Sequence, residues 1–344
     1  EVVTEKCLVY GNEPSPYSVK VRSYFRYKKI PHSWIERSYK TNSEFKKHAK
    51  IAIVPLVITP EKKAIQDSTP IIQLMEKQFQ ERSIIPKEEH TAFIARLLEE
   101  YADEWLVKPM FHSRWSYKED QWDAALRITD PFLPTWVKII PIINHFAHKK
   151  IASAIRKRQI ARLWVTSSNK NTEDQIEESF LDFLKHSEAH LQARPYFFGL
   201  KPSIADFGIY GQLYQAWSDP TLKKIIESSY PKTLKWIHLM ENPEMRGDFE
   251  PWKSLEETLM PILTKDIGGI FMPWLQANNQ AVIDGHDSLS VMIKNKNFEH
   301  RIGSPNRYHK KSFLALCDEY KAIKDTAMVD VILQKSTLAH YFSD

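Results

Sequence analysis

LVYGNEPSPYSVKVRSYF, residues 8–25, is the stretch from which the fold is read. Leu8-Val9-Tyr10 is a short apolar run of strand composition. Gly11, Asn12, Pro14 and Pro16 interrupt it, and Ser15 is well suited to cap a helix. From Tyr17 the pattern turns helical, with Val21, Tyr24 and Phe25 at i, i+3 and i+4 of one face. A strand that feeds a helix through a polar loop aims backbone N–H groups and a hydroxyl at whatever lies above the helix N-terminus. An anionic ligand or a thiolate suits that place, and Ser15 is the candidate hydroxyl. On its own, Ser-Pro before a helix is more often a plain cap.

The residues from His32 to Phe79 strengthen the functional reading. His32 to Arg37 alternates as a strand, residues 43–50 read as a short exposed helix, and residues 62–66 as a turn with a further strand. Val54-Pro55 precedes the strand-like Leu56-Val57-Ile58. Gln66-Asp67-Ser68-Thr69-Pro70 then opens an amphipathic helix carrying Ile71, Ile72, Leu74, Met75 and Phe79. Strands mixed with helices in this order give a small α/β sheet. A serine at a helix start attracts carboxylates, because the dipole and the unpaired N–H groups both favour negative charge.

Taken together, SPYSVKVR at 15–22, Val54-Pro55 and Asp67-Ser68 resemble the thioredoxin-like N-terminal domain of the cytosolic glutathione transferases. A second signature is Gly199-x-x-x-Ser203-x-Ala205-Asp206 ahead of an apolar helix, similar to the start of the buried helix in that family's C-terminal domain. Ser203 and Asp206 have capping-box spacing, which assigns them to folding. The resemblance implies an α/β thioredoxin-like domain over residues 1–86 and an all-α helical bundle with a hydrophobic substrate site over 87–260. Residues 261–344 form a C-terminal extension like that of some bacterial members. It also implies glutathione as co-substrate, with Val54 pairing with its cysteinyl backbone beside a cis Pro55. Ser68 takes the γ-glutamyl carboxylate, Asp67 the α-amino group, and Gln66 assists. Ser15 donates to the sulfur, with Tyr17 or Ser18 as alternatives. Serine in place of cysteine resembles the conjugating classes, used in detoxification, and not the disulfide reducers. A homodimer is implied, with Asp103 as candidate for the acid that a partner subunit offers the amino group. The competing reading is a non-catalytic glutathione-binding or scaffold protein.

Composition bounds the rest. A chain of 344 residues suits two domains or slightly more, and 42% hydrophobic residues supply substantial cores. The net charge of +5 shows no basic stripe interleaved with aromatics, so nucleic acid is not expected. Cys7 and Cys317 form no disulfide framework or metal-ligand cluster, so no metal is expected and the cytoplasm is the expected location. Phe132 to Phe146 is broken by Lys138, Pro141 and Asn144, short of a membrane span. The basic run from Lys149 to Arg162 reads as the solvated face of a bundle helix, so a membrane partner is not expected. Phe111 and Trp115, in an aromatic-rich helical stretch, are the candidate contacts for an apolar electrophile.

Overall fold

The computed structural model describes residues 6–343. Strand β1 (Cys7–Gly11) pairs in parallel with β2 (His32–Glu36) and antiparallel with β3 (Leu56–Ile58). β4 (Ala64–Gln66) adds to β3, giving the order β2-β1-β3-β4. Helices α1 (Pro16–Lys28), α2 (Asn42–His48) and α3 (Ser68–Gln78) connect them. The apolar run in β1 is continuous because both of its faces are covered. Val9 and Val57 face the core that α1 and α3 join, while Tyr10, Leu56 and Ile58 pack on Phe45 of α2. Cys7 lies buried in β1, where desolvation pushes its thiol up, as suits a packing group.

The second domain is helical. α4 (Glu89–Tyr101) runs through a π-helical turn at Ala102–Leu106 into α5 (Val107–Ser116). α6 (Lys118–Thr129), α7 (Thr135–Ile139), α8 (Pro141–Ile160) and α9 (Glu173–His190) come next. α10 (Ile204–Ser218) is buried on nearly every side, as its all-round apolar sequence requires, and α11 (Pro220–Ser229) and α12 (Pro231–Glu241) complete the bundle.

α10 lies directly against α1. A Cβ on Gly211 would sit 2.6 Å from the backbone oxygen of Pro16, so only glycine lets α10 approach the start of α1 this closely. Gly211→Ala is expected to lower stability by about 1–3 kcal/mol, since rigid backbone must move. Urea denaturation checks this, and an unchanged midpoint contradicts it.

Residue 260 marks no seam. α13 (Trp252–Pro261) passes through π-helical turns at Ile262–Phe271 into α14 (Met272–Asp284) as one continuous helix. The sequence closes the helical domain near Leu259 and suggests a further helix over Ile270–Ala281, whereas the observed helix runs on through Pro261, which lacks an N–H. The chain absorbs it by opening into wider turns. A hairpin, β5 (Ser288–Ile293) and β6 (Lys296–Arg301), precedes α15 (Ser304–Lys321) and α16 (Ala327–Lys335). α15 is much longer than the short helix read over Phe313–Tyr320. Both last helices lie along α4, and Phe298, Leu316, Val329 and Phe342 join the same core as α4 and α10.

Candidate active site

Ser15 caps α1. Its Oγ accepts from the Ser18 N–H at 3.2 Å, and its own hydroxyl proton has no partner among the described residues. Pro16 has no N–H, and that of Tyr17 is likewise unpartnered among them. No acid occupies the first turn. This end of α1 therefore presents one O–H, one N–H and the helix dipole. Arg114 and Gln215 clamp the loop before it, donating to the carbonyls of Pro14 (2.9 Å) and Glu13 (2.8 Å). Arg114 is held in turn by Asp219 at 2.7 Å. Sequence reading misses Arg114, because a lone arginine within a helix carries no pattern.

Tyr17 and Ser18 serve elsewhere. The Tyr17 hydroxyl donates to the backbone oxygen of Asp103 at 3.0 Å. Burial pushes its pKa well above the usual value, and the charges of Asp103, Glu104 and Asp67 add to that. α1 and α3 themselves pack against each other and share the core on one side of the sheet. Ser18 is fully buried behind the cap, its Oγ without a partner among the described residues.

The Val54–Pro55 peptide is cis, as the resemblance implies. The N–H and C=O of Val54 meet no partner among the described residues. Gln66 is fully engaged in bracing the preceding loop. Its Oε1 accepts from Lys50 N (2.8 Å) and Ile51 N (3.2 Å), and its Nε2 donates to the carbonyls of Ile51 (2.9 Å) and Ile53 (3.0 Å). Asp67 adopts φ 78° and ψ 140°, a positive-φ conformation outside the left-handed helical well. Its Oδ2 accepts from the Tyr308 hydroxyl of α15 at 2.7 Å. α3 consequently starts without a side-chain cap and without an acid in its first turn. The N–H groups of Ser68 and Thr69 and the Ser68 hydroxyl have no partner among the described residues.

A charged cluster fills the space between the domains. Buried Lys20 of α1 bonds Glu99 Oε1 at 2.8 Å and Asp103 Oδ2 at 2.7 Å. Burial pulls the ammonium down, but Asp103 and Glu99 outweigh it and hold the pKa above the ordinary value. Asp103, the candidate for contact across a dimer, is thus engaged within its own chain. Burial pushes its carboxyl up to about 6, against the pull of Lys20. Glu104 binds His309 of α15. Tyr308 and His309 are invisible as site residues in the sequence, because nothing local marks where α15 docks.

Lys108 completes the cluster. Its Nζ lies 3.8 Å from the centre of the Trp274 ring and donates to Ser167 Oγ at 3.1 Å. Burial lowers its pKa to about 7, opposed by Glu104. Unfolded, it keeps its proton up to about pH 10.4. Between those values the unfolded chain binds more protons, so stability rises with pH from about 7 to about 10. Lys108→Met is expected to flatten that rise in denaturation series across this range. An identical slope in the variant contradicts the assignment.

Phe111 and Trp115 lie in a different neighbourhood. Buried Trp115 packs with Ala124, Ala125 and Ala152, and Phe111 joins the edge of this small core between α5, α6 and α8. The structure places both in packing, and Arg114 between them in sequence is the residue that reaches the α1 loop.

Two family descriptions match the chain: the glutathione S-transferase N-terminal domain over residues 14–78 and the C-terminal domain over residues 169–238. No curated protein matches. Among solved structures, the chain is similar to a β-etherase from Sphingobium sp. strain SYK-6, at 15% identity and TM-score 0.49, covering 74% of this chain and 98% of that one. It is also similar to a glutathione S-transferase from Methylobacterium radiotolerans in complex with glutathione sulfonate, at 15% identity and TM-score 0.42, covering 69% and 91%. A Tau class glutathione S-transferase from mango matches at 18% identity and TM-score 0.41, covering 68% and 88%. The first matched segment runs from the α1 loop to the end of α3, and the second contains the Ser203–Asp206 box. The four-stranded α/β domain and the helical domain thus carry the N-terminal and C-terminal domain signatures of the glutathione S-transferases.

Proposed function

We propose that the protein is a glutathione transferase that activates the glutathione sulfur for attack on an apolar electrophile. The observation that carries this reading is the pair of neighbouring helix starts, each with free donors and no acid in its first turn. At α3, the Ser68 hydroxyl and the Ser68 and Thr69 N–H groups receive the γ-glutamyl carboxylate. Asp67 keeps one oxygen free for the α-amino group, and Val54 offers its unpaired N–H and C=O to the cysteinyl backbone. At α1, the Ser15 hydroxyl and Tyr17 N–H face the sulfur. A thiol of pKa about 8.5 is mostly protonated at neutral pH. Two donors and the dipole stabilise its thiolate. That thiolate forms the new C–S bond as the leaving group departs with its electron pair.

Retention on immobilised glutathione tests the binding half. Asp67→Ala is expected to weaken it about tenfold or more, as loss of a hydrogen bond to a charged group costs about 1.5–3 kcal/mol. Unchanged retention contradicts the role of Asp67.

One observation favours a second reading, a non-catalytic glutathione-binding or scaffold protein: Tyr308 of the extension already sits on Asp67. Binding without thiolate formation supports that alternative. We further propose a cytoplasmic homodimer, for which light scattering at the mass of one chain is the contradicting result.

A further inference from the structure

α7 and α8 break the rule that a surface helix turns its apolar side inward. Of the helix Pro141–Ile160, only Ala152 is buried. Trp136 is 62% exposed, Ile139 73%, Ile142 72% and Phe146 68%. α8 rests on α6 by its other side, where Ala152 and Ile155 share a small core with Trp122. On the outer side, Ile142, Phe146, Lys150 and Lys157 stand at i, i+4, i+8 and i+15, one stripe along the helix. The stripe is apolar at its start and cationic at its end.

The charge is one-sided. Thr135 to Arg162 contains seven Lys or Arg and no Asp or Glu, so the +5 of the whole chain becomes −2 without these seven. Lys138 pairs with Asp130, and Arg156 rests on Gln121 and Trp122. Lys149, Lys150, Lys157 and Arg158 have no ion-pair partner among the described residues, and Lys149, Lys150 and Lys157 are exposed.

We propose that this face docks on the surface of an anionic lipid bilayer. Trp136, Ile139, Ile142 and Phe146 enter the boundary between headgroups and acyl chains, and Lys149, Lys150 and Lys157 lie on lipid phosphates. Exposed aromatic and aliphatic residues beside lysines and arginines are the signature of a helix lying in that interface. A second copy of the chain fits worse, because it sets the same cations opposite each other. Nucleic acid accounts for the cations and leaves the isoleucines in water. No helix among the described residues is long and apolar enough to cross a membrane, so the attachment is peripheral. The proposal is independent of glutathione chemistry.

Vesicle flotation of the full chain tests it, using phosphatidylcholine alone and phosphatidylcholine mixed with phosphatidylglycerol. The protein is expected to float with the anionic vesicles only. Lys149→Glu with Lys150→Glu should weaken binding by more than about tenfold, as each basic residue near such a surface contributes about 1 kcal/mol. Ile142→Ser with Phe146→Ser should do the same, while both variants keep wild-type circular dichroism and glutathione retention. No flotation, equal flotation with neutral vesicles, or binding untouched by both variants overturns the proposal. So does a wild-type dimer that the Ile142/Phe146 variant dissociates in the absence of vesicle binding.

Discussion

Asp206→Ala is expected to lower the unfolding free energy by about 3 kcal/mol or more, since each buried donor left unmet costs about 1–3 kcal/mol. The carboxylate is fully buried and receives four hydrogen bonds: Phe197 N and Ser203 N at 2.9 Å, Ser203 Oγ at 2.8 Å and Trp236 Nε1 at 3.0 Å. Burial pushes the carboxyl up to about 6, and the four donors pull the other way. One side chain thus ties the start of α10, the turn before it and α12 together. Alanine leaves four buried donors unmet, each with its own desolvation cost. The damage reaches the first domain, because α10 carries Gly211 against Pro16. Asp206→Asn keeps the shape and one acceptor oxygen, so a smaller loss is expected. Urea denaturation measures both, and an Asp206→Ala midpoint equal to wild type contradicts the argument.

The second large effect falls on turnover. Ser15→Ala is expected to reduce conjugation of glutathione to an aryl halide by about 10- to 100-fold, the worth of one hydrogen bond to an anion. Alanine also removes the cap on α1, which by itself costs about 0.5–2 kcal/mol of stability. Ser15→Gly separates the two effects, because glycine at a cap costs only a few tenths of a kcal/mol. Both variants should lose turnover to a similar extent, and glycine should keep wild-type stability. Glutathione retention should change little in either, since the carboxylate and amino contacts lie at α3. Full turnover in Ser15→Gly removes Ser15 as the sulfur's donor.

The helix starts are legible in the sequence because local chemistry writes them. Ser15, Asp67-Ser68 and Ser203–Asp206 each sit at a helix start, where residue choice and spacing report geometry directly. The α/β order of the first domain is legible for the same reason. Gln66 shows the limit: its position beside Asp67 is readable, but its four bonds to the 50–53 backbone depend on the fold of that loop. Phe111 and Trp115 show another, since an aromatic pair on a helix looks alike whether it faces a cleft or a core. Tyr308, His309 and Lys108 depend on where α15 and Trp274 dock, contacts spanning up to 241 residues that no local pattern encodes. The uncovered face of α7 and α8 reads as an ordinary bundle helix, because sequence shows amphipathicity without showing which side is out.

The most direct measurement is a titration of the ultraviolet thiolate absorbance of glutathione bound to the wild-type chain and to Ser15→Gly. A midpoint below the free thiol's value of about 8.5 in the wild type, returning toward that value in the variant, is the predicted result. A bound thiol that titrates like free glutathione in both contradicts an α1 start that holds the sulfur.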